Sequence, residues 1–143
     1  MLSIQISDIK DFMSHLLSKD TFDHFYFIEA SIKMGVSYQI QGRINEGFYD
    51  TSVEQTLNRE FCYWKEIRHR IFDIIKGKRL PLSCKIVLGL SKQSISYLIA
   101  HNNSSFREED IEGIYVNILY DPKNLLITTG ISYKNFSLDK SLE

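Results

Sequence analysis

Residues 24–45 read HFYFIEASIKMGVSYQIQGRIN, and their apolar positions recur every second residue. In the first half, His24 to Lys33, Tyr26, Ile28, Ala30 and Ile32 share one side. In the second, Val36, Tyr38, Ile40, Gly42 and Ile44 alternate with Ser37, Gln39, Gln41, Arg43 and Asn45. Successive side chains of a strand point to opposite faces, so this second half predicts one buried face and one wet face. Met34 and Gly35 supply a turn between the halves, and the stretch predicts an antiparallel hairpin.

Working outward, the period changes on both sides. Upstream, Leu2, Ile4 and Ile6 alternate as in a short strand. Ile9, Phe12, Met13, Leu16 and Leu17 then form the stripe of an amphipathic helix over about 8–18, with Ser7 or Asp8 available as a cap. Downstream, Thr51 with Glu54 and Ser52 with Gln55 have capping-box spacing. Val53, Leu57, Phe61, Trp64, Ile67, Ile71, Ile74 and Ile75 continue at helical spacing, predicting a long helix over about 52–76. Gly77 ends it, and Pro81 prevents a restart.

Ser83–Leu90 predicts a strand with Ile86, Leu88 and Leu90 on one side, and Ser91 can cap a short helix reaching His101. Asn102–Asp110 reads as a polar loop. Ile114, Val116, Ile118 and Tyr120 mark a strand, Asp121–Asn124 a turn preset by Pro122, and Leu125–Tyr133 the return strand of a second hairpin. Leu138–Glu143 begins a helix with no room to continue. The expected class is α+β: an antiparallel sheet of two hairpins plus one or two further strands, packed on two main helices. Residues 1–143 form one expected domain, with no linker or low-complexity tract. The halves share a loose helix-then-hairpin order without a strong sequence repeat.

A chain of 143 residues with 43% hydrophobic and 24% charged residues has the composition of a globular protein that needs neither disulfides nor metals to hold a core. Net charge is -1, which gives the whole molecule no pull toward nucleic acid or an anionic membrane. The charge is uneven. Residues 1–58 balance to -4, residues 59–102 to +6 and residues 103–143 to -3. Cys62 and Cys84 are too few for a disulfide framework and form no CxxC, so each reads as a reduced, small buried hydrophobe. The first residues lack the basic-then-apolar pattern of a signal peptide, and no apolar run approaches the roughly 18 residues of a membrane span. A soluble, cytoplasmic protein is expected.

The positive middle segment is the main candidate for chemistry. Lys65, Arg68, His69 and Arg70 lie in the long helix, Lys76, Lys78 and Arg79 surround Gly77, and Lys85 follows. Such cations can neutralise phosphates, and arginine can do so bidentately. Arg68, Arg70, Lys76, Lys78 and Arg79 are therefore the candidate anion-binding residues. The competing reading is a solvated face: cations complement the dipole at a helix C-terminus, and Arg68 and Lys65 could pair with Glu66 or Asp73. Exposed aromatics beside a basic groove would point to single-stranded nucleic acid. Tyr63 and Trp64 adjoin the basic helix and Tyr115 falls on the outer face of its strand, but Trp64 sits on the apolar stripe and reads as core.

The remaining candidates are weaker. His15, His24, His69 and His101 are scattered, and Asp11 with His15 makes at most one helical pair, so no metal site is expected. Glu108, Glu109, Asp110 and Glu112, after Arg107, lack metal-loop spacing and read as an edge-protecting charge run. GxGxxG, GxxxxGK[ST], GxSxG and HExxH are all absent.

The run YWKEIRHRIFDIIKGKRLPLSCKIVLGLS at 63–91 resembles a signature of a small family of unknown function from anaerobic Gram-positive bacteria. ISDIKDFMSHLL at 6–17, IQGRI at 40–44 and TTGISYKNFSLDKSLE at 128–143 are similar to it as well, and IIKGKRLPLS at 74–83 is its most recognisable block. The resemblance implies a single-domain bacterial protein whose relatives run somewhat past Glu143. It carries no substrate, cofactor or catalytic residue.

Two function classes follow. The favoured one is a non-catalytic binding module, its basic segment 65–85 contacting an acidic protein or a phosphate-bearing ligand, with no cofactor and no membrane. A structural or adaptor protein acting through a sheet edge or an apolar patch, or as a homodimer, ranks with it. The alternative is a small enzyme whose site is assembled only by the fold.

Overall fold

The computed structural model describes residues 2–48, 59–101 and 110–133. Alternation at 24–45 becomes the hairpin of β2 (Tyr26–Lys33) and β3 (Ser37–Gln41), with Met34 N–H donating to Val36 O across the turn. The other strands are β1 (Ser3–Gln5), β4 (Ser83–Gly89), β5 (Ile111–Tyr120) and β6 (Leu125–Tyr133). Six strands form one antiparallel sheet in the order β1-β6-β5-β4-β2-β3. With helices α1 (Ile9–Leu17), α2 (Trp64–Ile75) and α3 (Lys92–His101), the described residues are α+β.

The core lies between one face of this sheet and helices α1 and α2. Phe27, Ala30, Ile32, Ile86, Leu88, Ile118 and Leu125 of the sheet meet Leu16, Leu17, Trp64 and Ile71 of the helices. Asp8 caps α1 by accepting from Asp11 N–H at 3.0 Å. The far end of α1 is closed by α2. Trp64 Nε1–H donates to Leu16 O at 2.8 Å, and Arg68, one turn on, donates to Leu17 O at 3.3 Å. The last carbonyls of a helix have no partner within it, so two side chains at i and i+4 on one helix satisfy two orphans of the other.

Two features of the opening hairpin differ from its sequence pattern. Phe27 pairs with Leu88 but Glu29 pairs with Val87, so Ile28 is an extra residue, a β-bulge. The bulge shifts the alternation: Phe27 joins Ala30 and Ile32 in the core, while Tyr26 and Ile28 turn to the opposite face. Strand β3 lies at the sheet edge beyond the helices, so its expected buried face is open. Val36 is 65% exposed, and Ile40 alone of the β3 side chains packs against the core.

The long helix also starts later than its periodicity implies. Residues 59–63, expected to be helical, are not: 59–60 form a bend, and 61–63 are extended and enter between the diverging ends of β2 and β3. Cys62 N–H donates to Gly42 O at 2.9 Å, Phe27 N–H to Cys62 O at 2.8 Å and Trp64 N–H to Phe25 O at 2.8 Å. Phe61 and Trp64 fit a helical stripe by spacing, but the ladder offered by two strand backbones overrides that preference. Glu66 closes the true N-terminus by accepting from Tyr63 N–H at 3.2 Å. The capping boxes expected at Thr51–Gln55, the loop at 102–109 and the tail helix at 138–143 lie outside the described residues. No helix among the described residues is long and apolar enough to cross a membrane.

Candidate functional site

The structure divides the five expected anion-binding residues. Arg68 is committed to the core. Its guanidinium grips the Asp23 carboxylate with Nε at 2.8 Å and Nη2 at 3.0 Å while also reaching Leu17 O, and both side chains are nearly buried. It pairs with Asp23 rather than with Glu66 or Asp73. Lys85 is on β4 with its side chain on the far face, lining an open depression with Glu29 and Asn117. Arg70, Lys76, Lys78 and Arg79 remain exposed on and just beyond α2. Lys76 lies 3.1 Å from Asp73; Arg70, Lys78 and Arg79 have no ion-pair partner among the described residues.

The loop that carries Lys78 and Arg79 is held rather than loose. Lys76 N–H caps α2 by donating to Phe72 O, and Gly77 has φ +149°, a conformation that favours glycine. Pro81 is fully buried, and Leu82 N–H donates to Lys33 O at 2.8 Å beside the β2–β3 turn. Because Pro81 points inward, its neighbours point outward: Leu80 is 66% and Leu82 69% exposed. Val36 lies in the turn next to Lys33. This end of the sheet therefore presents cations and large apolar side chains together. Isolated exposed apolar residues are ordinary, but a group held outward beside uncompensated charge has the chemistry of an interaction surface.

Histidines and thiols do not converge. His15 takes part in a hydrogen bond with Thr21 and lies 3.8 Å from Asp11, and His101 is stacked on Tyr97. Among the described residues no group of three or more His, Cys, Asp or Glu side chains could hold a metal ion. Burial pushes the Cys84 thiol up to about 12, and burial with the nearby Glu66 carboxylate raises Cys62, so neither is poised as a thiolate. Trp64 is core, as its stripe implies. Asp110 and Glu112 are the described members of the acidic run.

A second concavity, absent from the sequence reading, lies at the opposite end of the sheet on the face away from α1 and α2. It encloses about 250 Å³ between the bulge, the first turn of α3 and the start of β5. Tyr26, Phe61 and Tyr115 bring rings to it, Ile28, Leu90 and Ile95 apolar walls. Arg43 pairs with Glu60 and lies over Phe61; Arg59 pairs with Glu66 and lies over Tyr63. Tyr26 and Tyr63 stack at 5.3 Å. The Tyr115 hydroxyl is raised by burial and then by the Glu112 and Glu60 carboxylates. Its residues come from five separate stretches of chain, brought together by the bulge at Ile28. Its traces in the sequence are the aromatic run Phe61–Trp64 and the outward-facing Tyr115.

Residues 15–143 match the family of unknown function DUF5721. No curated protein and no solved structure matches the chain.

Proposed function

Since the chain belongs to DUF5721, its function has to be read from its own geometry, and we propose a non-catalytic binding module that docks an acidic partner on the Lys78–Leu82 end of the sheet. The observation that carries this reading is the anchored loop. Buried Pro81 and the Leu82–Lys33 hydrogen bond hold Leu80 and Leu82 outward beside Lys78 and Arg79, whose charges no described side chain neutralises. Cations alone would suit a free phosphate. Cations interleaved with leucines suit an acidic protein segment with apolar side chains, since apolar contact supplies affinity while charge sets encounter rate and orientation. Arg70 and Lys76 extend the basic rim; Arg68 takes no part because Asp23 occupies it. The resemblance of the 63–91 run supports an origin in anaerobic Gram-positive bacteria.

Binding to an immobilised peptide of alternating glutamate and leucine tests the proposal, with polyphosphate as a second probe. The expected result is salt-sensitive peptide binding, lost in Lys78→Glu/Arg79→Glu and weakened at least tenfold, about 1.4 kcal/mol, in Leu80→Ser/Leu82→Ser. Binding unchanged by the charge reversal in a folded variant overturns the reading. Polyphosphate binding that ignores the leucine substitutions would replace the acidic protein by a phosphate ligand.

A further inference from the structure

The cleft at the bulge end rests on observations independent of the basic loop. Its existence depends on departures from regular sheet. The bulge turns Tyr26 and Ile28 into it, and the inserted segment brings Phe61. Two lining glycines leave its walls room: a Cβ on Gly89 would stand 3.1 Å from Ile28 Cδ1, and one on Gly113 2.5 Å from the Tyr115 hydroxyl. Bulges commonly re-aim side chains beside binding sites.

The charges lining the cleft fall into two groups. Arg43 is neutralised by Glu60 and Arg59 by Glu66, and each guanidinium is further held against an aromatic ring. Lys92 and Glu112 are different. Neither has an ion-pair partner among the described residues, and they do not pair with each other across the cleft. Glu112 is steadied by the Ser132 hydroxyl, which donates to Oε2 at 3.0 Å. One uncompensated cation and one uncompensated carboxylate therefore line the same concavity, with Ile28, Ile95 and Phe61 supplying apolar surface. About 250 Å³ is slightly below the roughly 300–1,000 Å³ typical of pockets for drug-sized ligands, which limits the occupant to a small metabolite.

We infer that this cleft binds a small zwitterion bearing an apolar or aromatic group, its carboxylate on Lys92 and its ammonium on Glu112. The Tyr115 hydroxyl, which lies against Gly113 next to Glu112, adds a polar contact at the ammonium end. Tyr26 and Phe61 offer ring surface to the side chain.

The test is titration of the full chain with L-phenylalanine and L-leucine, followed by amide chemical shifts. Phenethylamine, which lacks the carboxylate, and 3-phenylpropanoate, which lacks the ammonium, are the controls. At least one amino acid is expected to bind saturably, with shifts at Glu112, Gly113 and Lys92, and each control about tenfold or more weaker. Lys92→Gln should erase the preference over phenethylamine, and Glu112→Gln the preference over 3-phenylpropanoate. No saturable binding by either amino acid to a natively folded chain, or equal binding of the amino acid and both controls, overturns the inference. Neither substitution touches the Lys78–Leu82 loop, so binding of the acidic peptide reports on that loop separately.

Discussion

At Arg68 one side chain serves three partners: both oxygens of Asp23 and the carbonyl of Leu17. Removing one member of a nearly buried pair leaves the other charged and desolvated, so Arg68→Ala should cost about 3 kcal/mol of stability, measured by urea unfolding. Arg68→Ala with Asp23→Ala should cost clearly less than the two separate losses added. Strict additivity would show that the pair is not coupled. Cys84 is a buried free thiol. Its thiol has an ordinary value of 9.0 and is pushed up to about 12 by burial, while Tyr26, Tyr115 and Tyr120 are also raised, chiefly by burial. The native state then holds these protons more tightly than the unfolded chain. Their stabilising effect is complete below about pH 9 and is lost as the pH rises toward 12, so the urea midpoint should fall over that window. A constant midpoint would contradict the burial of these groups. The positions of Trp64 and Arg68, one helical turn apart, were legible in the sequence. Their acceptors were not, because Leu16 and Leu17 lie 48 and 51 residues away and a backbone carbonyl leaves no sequence signature.

Among the elements, β2 carries the most consequence. Its alternation was readable, yet period-two reasoning put Tyr26 and Ile28 on one face with Ala30 and Ile32 because a bulge has no marker in HFYFIEAS. The neighbouring Gly42 was readable only as one more position of a strand. A Cβ there would stand 1.8 Å from Phe27 O, an overlap with backbone that no rotamer change relieves. Gly42→Ala should therefore destabilise the domain by about 2–3 kcal/mol, whereas Gly130→Ala, with nothing within 4 Å of the added methyl, should be close to neutral. Equal thermal midpoints for the two variants would contradict the close approach of Gly42 to the Phe27 carbonyl. The start of α2 follows the same logic. Phe61, Trp64 and Ile67 fit a helical stripe, and the competing strand ladder is formed by Gly42 and Phe27, partners remote in sequence. Elements defined by local period alone, such as α1 and the β5–β6 hairpin, were legible almost to their ends.

On the scale of the molecule, the antiparallel sheet sorts one basic segment onto different surfaces. Residues 59–102 carry a balance of +6. Arg68 enters the α1–α2 joint, Lys85 the far face, and Arg59 with Lys92 the bulge-end cleft. Of the rest, Lys65 is exposed at the start of α2, and Arg70, Lys76, Lys78 and Arg79 are exposed along and just beyond it, with Leu80 and Leu82 held outward by buried Pro81. The charge excess was visible in the sequence; its partition was not, since it depends on strand order and on which way each side chain leaves the sheet. Under the proposed function, the surviving cations and leucines act as one docking surface. The most direct measurement is amide chemical-shift mapping of the labelled chain with the glutamate–leucine peptide. Shifts confined to Lys76–Ser83 and the Lys33–Ser37 turn, and abolished by Lys78→Glu/Arg79→Glu, are the predicted result. Shifts centred on Lys65, Lys85 or Lys92, or none at all, would contradict it.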